Sequence, residues 1–249
     1  MAACSSEALT IFKRIRAYIE HTHAVFTSGK HSGSYINKDA VYSHTAEIAR
    51  LCRILAERFA GDYIEVVVGP AVGGVVLTQW MAHHLSDLTV REVLAAYGEK
   101  VERTLFKTDS ARAVIKTGLD VWDLEANMEV VVRHPSKFVI ERGYDKLLAG
   151  KRCLCVEDIL STGGSAKGIV EATQACGGLV VGLGALWNRG AVTASQIGNL
   201  PKFVSLIDIQ LDMWDEDECP LCMAQEPVDT DIGHGREYLA KKALEEQFA

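Results

Sequence analysis

The chain has 249 residues, 48% hydrophobic and 24% charged, enough for one large folded unit with modest appendages. A formal net charge of −7 argues against a nucleic-acid protein held by phosphate neutralisation, although backbone N–H groups can still bind a small anion. No apolar run reaches the length of a membrane span, Met1–Glu20 is amphipathic rather than signal-like, and the seven cysteines read as reduced thiols of a cytoplasmic protein.

In chain order, Ile11, Phe12, Ile15, Tyr18 and Ile19 recur at helical spacing, with Ser6 as a candidate cap. The polar run Thr27–Ser34 cannot continue that helix. A second helix carries Ile48, Leu51, Cys52, Leu55 and Phe59 on one face and mostly charged residues on the other. The pattern then changes. Ile64–Val68 reads as a β-branched strand leading through Gly69-Pro70-Ala71-Val72-Gly73-Gly74 into an apolar helix, Val75–Leu85. Residues 101–136 mix charges and short apolar runs, with Val130–Val132 a strand, and read as a β-rich insertion. Strand, loop and helix recur from Cys153–Val156 onward, and Leu179–Leu186 and Phe203–Ile209 are further strands. Such alternation predicts an α/β fold, a parallel sheet flanked by helices, with ligands at the carboxyl ends of its strands. The expected division is an N-terminal helical and hood segment over 1–62, a core over 63–213 holding the insertion, and a tail over 214–249.

The run Val156-Glu157-Asp158-Ile159-Leu160-Ser161-Thr162-Gly163-Gly164-Ser165 carries the chemistry. Two acids ending a buried strand are costly unless partners meet them, and adjacent strand residues point in different directions. They can receive hydrogen bonds from the two hydroxyls of a ribose. Ser161, Thr162, Gly163, Gly164 and Ser165 then open a helix, where close backbone approach, hydroxyl donors and the helix N-terminus suit a phosphate. A diol site and a phosphate site one loop apart match a ribose 5-phosphate. The plainer reading is a sheet-edge turn with two solvated acids. The run is neither a Walker loop nor a Gly-x-Gly-x-x-Gly turn.

With strand, paired acids and Thr-Gly loop in place, the sequence resembles the type I phosphoribosyltransferases, and within them the orotate phosphoribosyltransferase group. Phe26–Ser32 with Tyr35–Asp39 is similar to that group's N-terminal motif, Gly69–Gly74 to its pyrophosphate loop, and Leu186–Gly190 to the strand end where it carries a base-contacting arginine. The resemblance implies transfer of the phosphoribosyl group from phosphoribosyl pyrophosphate to orotate, with Mg²⁺ bridging pyrophosphate and ribose and few direct protein ligands to it. It implies that Glu157 and Asp158 hold the ribose hydroxyls, Asp158 also assisting proton traffic, while Ser161–Ser165 hold the 5′-phosphate. Ala71, Val72, Gly73 and Gly74 would approach the pyrophosphate through backbone N–H groups. Arg189 would pair with orotate's carboxylate, and Ser28, Gly29, Lys30 and His31 would close over the base. A homodimer is implied in the same way.

The group's basic lid pattern is missing. Ala96–Lys100 resembles its start, which makes Lys100 the candidate catalytic cation, while Arg103, Lys107, Arg133 and Arg142 are not separated by spacing. Transfer to another base, and a non-catalytic sensor of phosphoribosyl pyrophosphate, are the alternatives. Cys219-Pro220-Leu221-Cys222 is half of a zinc site, with His234 twelve residues beyond and no second pair in the chain. A turn between core and tail is the plainer assignment, and no residue is assigned as a metal ligand. A dimer could supply the other half.

Overall fold

The computed structural model describes residues 2–100, 104–107, 112–117, 120–125, 129–132 and 138–248. Helix α1 (Ala2–Arg14) buries Ala8, Ile11 and Phe12. The period read through Tyr18 and Ile19 stops sooner than the apolar spacing implies. Arg16 takes a left-handed φ of 55°, its N–H donates to Lys13 O at 3.1 Å, and the Ala17 N–H donates to Phe12 O at 2.8 Å. This is a Schellman closure with arginine where glycine is usual, so no glycine announced it. Tyr18 instead opens strand β1 (Tyr18–Val25) and reaches the core from there, its ring 4.9 Å from that of the buried Trp187. β1 pairs antiparallel with β2 (His31–Ile36), which occupies the end of the run read as polar loop.

Two helices follow, α2 (Lys38–Ser43), capped by the Asn37 side chain, and α3 (Thr45–Glu57), whose expected apolar face is buried. Next come β3 (Val66–Pro70), α4 (Gly73–Thr89) and β4 (Leu94–Lys100). The insertion contains strands β5 (Thr104–Lys107) and β8 (Glu129–Val132), paired antiparallel, and the hairpin β6 (Arg112–Thr117) with β7 (Asp120–Glu125). The chain returns through β9 (Phe138–Val139) and α5 (Tyr144–Leu148) to β10 (Arg152–Leu160), α6 (Gly164–Ala175), β11 (Leu179–Asn188) and β12 (Phe203–Ile207). The tail adds a short helix α7 (Pro220–Met223) and α8 (Gly235–Phe248).

The main sheet has the order β12-β11-β10-β3-β4-β9, parallel throughout except for β9 at the edge. The two-residue period of its central strands divides the core. Val67, Leu154 and Val156 face α1, α3 and α4, while Val66, Val68, Cys153 and Cys155 face α5 and α6. Burial on both faces is why these strands read as unbroken apolar runs. Among the described residues, no helix is long and apolar enough to cross a membrane. The carboxyl ends of β3, β10 and β11 carry the loops singled out from sequence.

Candidate active site

Strand β10 runs past its apolar segment to Leu160, so Glu157 and Asp158 sit inside the strand end, each only 5% exposed. The two carboxylates are held differently. Asp158 Oδ1 accepts from the Ile159 N–H at 2.7 Å, and Oδ2 accepts from the Tyr42 hydroxyl at 3.1 Å and faces Lys38 Nζ at 3.4 Å. Glu157 Oε1 accepts from the Asp158 N–H at 3.1 Å, whereas Oε2 is buried without a hydrogen-bond partner. Burial first, and the neighbouring Asp158 second, raise the Glu157 carboxyl well above the usual carboxylate range. A buried, unpartnered carboxyl oxygen of this kind is what a ligand hydroxyl, able both to donate and to accept, would satisfy. The first turn of α4 comes close because residue 73 is glycine: a Cβ there would overlap Asp158 Oδ2.

Beyond the acids the chain makes the turn Ser161-Thr162-Gly163 and enters α6 at Gly164. Gly163 has a φ of 78°, and the Thr162 hydroxyl accepts from the Gly164 N–H at 3.4 Å. Glu157, Ser161–Ser165 and the residues beside them line a concavity of about 110 Å³ at the helix N-terminus, which favours an anion. The turn after β11 presses against it. Arg189 and Gly190 donate their N–H groups to Leu160 O at 3.0 and 3.1 Å, and a Cβ on Gly190 would overlap the Ser161 carbonyl oxygen. Buried Asn188 pins this turn through both of its amide atoms, bonded to the Val192 backbone at 2.9 and 3.0 Å.

The loop after β3 is only partly as expected. The Ala71 N–H donates to Gly98 O at 2.8 Å, so it is spent on β4 and does not face a ligand. Val72, which follows, is 86% exposed, and Gly73 and the buried Gly74 begin α4.

A cavity of about 290 Å³ lies beside the acids, lined by Phe26, Tyr35, Lys38, Asp158, Ser161 and Arg189 among others. Arg189 Nε donates to Ser161 Oγ at 2.7 Å, and its guanidinium lies 5.2 Å from the Phe26 ring centre. Burial lowers the Arg189 pKa, yet a guanidinium stays charged over any ordinary pH range. Ser28, Gly29 and Lys30 occupy the β1–β2 turn instead of lining this cavity, and Lys30 Nζ is held between the Asp215 carboxylate oxygens at 3.0 Å each. His31 is completely buried in β2, away from the cavity lining. Lys100 ends β4 as an exposed residue, and Arg142 pairs with Glu99 at 2.9 Å. Arg103 and Arg133 lie outside the described residues.

Sequence reasoning missed Lys38 and Tyr42 as partners of Asp158, and Phe26, Tyr35 and His234 as cavity walls. Lys38 and Tyr35 fall in the motif Tyr35–Asp39, a signal that was present. Tyr42 and His234 had none, since long-range folding alone brings them in. The Thr27 hydroxyl and His234 Nε2 lie 2.8 Å apart at the cavity rim.

A parallel sheet with a strand-end acid pair, a phosphate-sized helix N-terminus and an arginine-walled cavity defines a sugar-phosphate transferase site. Residues 37–217 match the phosphoribosyl transferase domain, and the chain belongs to that family. Relatives include orotate phosphoribosyltransferases of Pelotomaculum thermopropionicum, 30% identical over 87% of this chain and 90% of its own, and of Caldanaerobacter subterraneus, 27% identical over 89% and 94%. The fold is shared with orotate phosphoribosyltransferase of Mycobacterium tuberculosis in complex with 5-phospho-α-D-ribosyl 1-diphosphate, with a TM-score of 0.54 and 20% identity over 83% of this chain and 96% of that one.

Proposed function

We propose that this protein is an orotate phosphoribosyltransferase, joining orotate to the ribosyl carbon of phosphoribosyl pyrophosphate to give orotidine 5′-monophosphate and pyrophosphate in pyrimidine nucleotide synthesis. One observation carries the reading: Asp158 and Ser161 belong both to the acid-and-phosphate site and to the wall of the cavity that holds Arg189. A sugar anchored by its diol and phosphate would therefore present its anomeric carbon toward a carboxylate-bearing base. A bidentate guanidinium suits that carboxylate, which purines lack.

The division of labour follows from chemistry. Glu157 and Asp158 accept hydrogen bonds from the ribose hydroxyls, with Tyr42 and Lys38 orienting Asp158. The turn Ser161–Ser165 binds the 5′-phosphate at the start of α6. Val72, Gly73 and Gly74 face the pyrophosphate, and Lys100 supplies a cation as negative charge builds on the leaving group. Attack by the base nitrogen forms the glycosidic bond while the bond to pyrophosphate oxygen breaks. The attacking nitrogen gives up its proton as the bond forms, and Asp158 would assist that proton traffic.

The oxygen-only donors of the buried acid pair are of the type a hard cation carried in with the substrate takes. Asp158 and Glu157 are the residues that would hold Mg²⁺, and the ion would supply charge neutralisation for the pyrophosphate. A cytoplasmic homodimer completes the proposal.

Ultraviolet turnover assays with phosphoribosyl pyrophosphate and Mg²⁺ should show consumption of orotate but not of hypoxanthine, adenine or uracil. Preference for another base would move the assignment within the family. Tight donor binding with no turnover of any base would replace the enzyme by a sensor.

A further inference from the structure

The hairpin β1–β2 and the tail meet at four side chains that the proposed reaction does not use. His23 Nε2 lies 2.9 Å from His31 Nδ1, and Cys219 and Cys222 Sγ each lie 3.6 Å from His23 Nε2. Cys222 Sγ lies 3.3 Å from His31 Nδ1, and all four ligand atoms fall within 4.8 Å of one another. His23, His31 and Cys219 are buried and Cys222 is half-buried. The Cys219–Cys222 pair, which alone reads as half of a zinc site, thus finds its second half within the same chain, in two histidines 8 residues apart on facing strands.

Hydrogen bonding alone does not account for this convergence. His23 Nδ1 lies 2.8 Å from Glu226 O, so it carries the proton and donates it there. That leaves Nε2 with a single in-plane lone pair. Three groups crowd that one lone pair: His31 Nδ1 and both sulfurs. A cation at their centre resolves the crowding. Tetrahedral Zn²⁺, with bonds of about 2.3 Å to sulfur and about 2.0–2.1 Å to nitrogen, sets ligand atoms roughly 3.3–3.8 Å apart. The sulfur–nitrogen distances fall in that range, and the two nitrogens need open by only a few tenths of an ångström.

We propose that His23 Nε2, His31 Nδ1, Cys219 Sγ and Cys222 Sγ bind one structural Zn²⁺ that clamps the tail onto the N-terminal hairpin. Two thiolates and two neutral imidazoles make the occupied site electrically neutral, which suits its burial, and four protein ligands leave no open position for chemistry. The donated Nδ1–H of His23 is the outer hydrogen bond that fixes the tautomer of a ligating histidine. The backbone is already arranged for the clamp. His31 and Trp214 exchange N–H···O bonds at 2.8 and 2.9 Å, the Asp229 N–H donates to His23 O at 2.9 Å, and the His234 N–H donates to Val25 O at 2.8 Å. All four ligands lie outside residues 37–217, so the clamp joins the two segments that flank the family's domain. It also holds the hairpin and residues 233–234, which together wall one side of the cavity.

Metal analysis of the full chain, purified reduced and without chelator, should find about one zinc per chain. Cys219→Ser with Cys222→Ser should lower this below about a tenth of an equivalent. Because that variant can misfold, the wild-type chain stripped by chelator and reloaded with Co²⁺ provides the second reading. Intense visible bands of four-coordinate cobalt with thiolate charge transfer are expected. Hydrogen exchange on the stripped chain should speed up at β1 and β2 while β10 is unchanged. Metal-free protein that takes up neither Zn²⁺ nor Co²⁺ would overturn the proposal, as would a six-coordinate cobalt spectrum or a Cys219–Cys222 disulfide in protein isolated under reducing conditions.

Discussion

The proposed donor half and the proposed base half of the cleft are built in opposite ways. The donor half consists of strand ends and the start of α6, each following directly on an apolar strand of the central sheet. The base half is folded over the sheet from both ends of the chain: Phe26 and Tyr35 come from the hairpin and His234 from the tail, more than 200 residues apart in the case of Thr27 and His234. The sheet positions the first by burying Val66, Val68, Cys153 and Cys155. The second has few buried apolar side chains of its own and is held by backbone bonds to the tail and the cluster of His23, His31, Cys219 and Cys222. A polar clamp fixes geometry where the segment is too small to form a core.

If the halves are separate devices, substitutions should sort by half, and the exception is where they touch. Gly190→Ala has the largest expected effect, because its Cβ would overlap the Ser161 backbone oxygen and neither chain segment can yield cheaply. It should destabilise the fold by about 3 kcal/mol and impair both substrates, measured by urea unfolding and steady-state kinetics. Arg189→Ala removes the base-half cation and should raise KM for orotate about 10- to 100-fold while that for the donor changes little. Equal changes in both would erase the division. Gly73→Ala should push Asp158 aside and weaken donor binding about tenfold in calorimetric titration, with orotate affinity nearly intact.

The smallest effect concerns stability. The Glu157 carboxyl is raised in the folded state, so the folded chain holds that proton more tightly than the unfolded chain. Its contribution is full below the ordinary carboxylate pKa of about 4.3 and is lost as pH rises through the raised folded value. Glu157→Gln should therefore gain stability over wild type as pH is raised above about 4, while losing donor affinity. Urea midpoints measured across pH would show it, and a constant difference would contradict the shift.

How much was legible in the sequence follows the same division. Cys153–Val156 declared a doubly covered strand, and Glu157-Asp158 followed by Ser161–Ser165 marked out the strand end and helix start that line one concavity, because local order along the chain is local order in space there. In the proposed base half, Phe26, Tyr35 and Arg189 lie in motifs visible in the sequence, whereas the His234 wall depended on a contact that no local pattern encodes. The Schellman closure at Arg16 lacked its glycine, so Tyr18 and Ile19 at the start of β1 were read as helix. Lys30 has the charge for a ligand contact, but folding gives it to Asp215. Ala71 shows the limit of motif reading, since its N–H belongs to the neighbouring strand. Cys219 and Cys222 could be read only as half a site until β1 and β2 brought His23 and His31 beside them.

The central claim is that the acid pair at the end of β10 holds the ribose of phosphoribosyl pyrophosphate. Calorimetric titration of that ligand with Mg²⁺ into wild type and into the Glu157→Gln, Asp158→Asn double variant tests it most directly. Binding should be measurable in wild type and fall at least about 100-fold in the variant, about 2.7 kcal/mol. Equal affinity in a variant whose unfolding remains cooperative would contradict it.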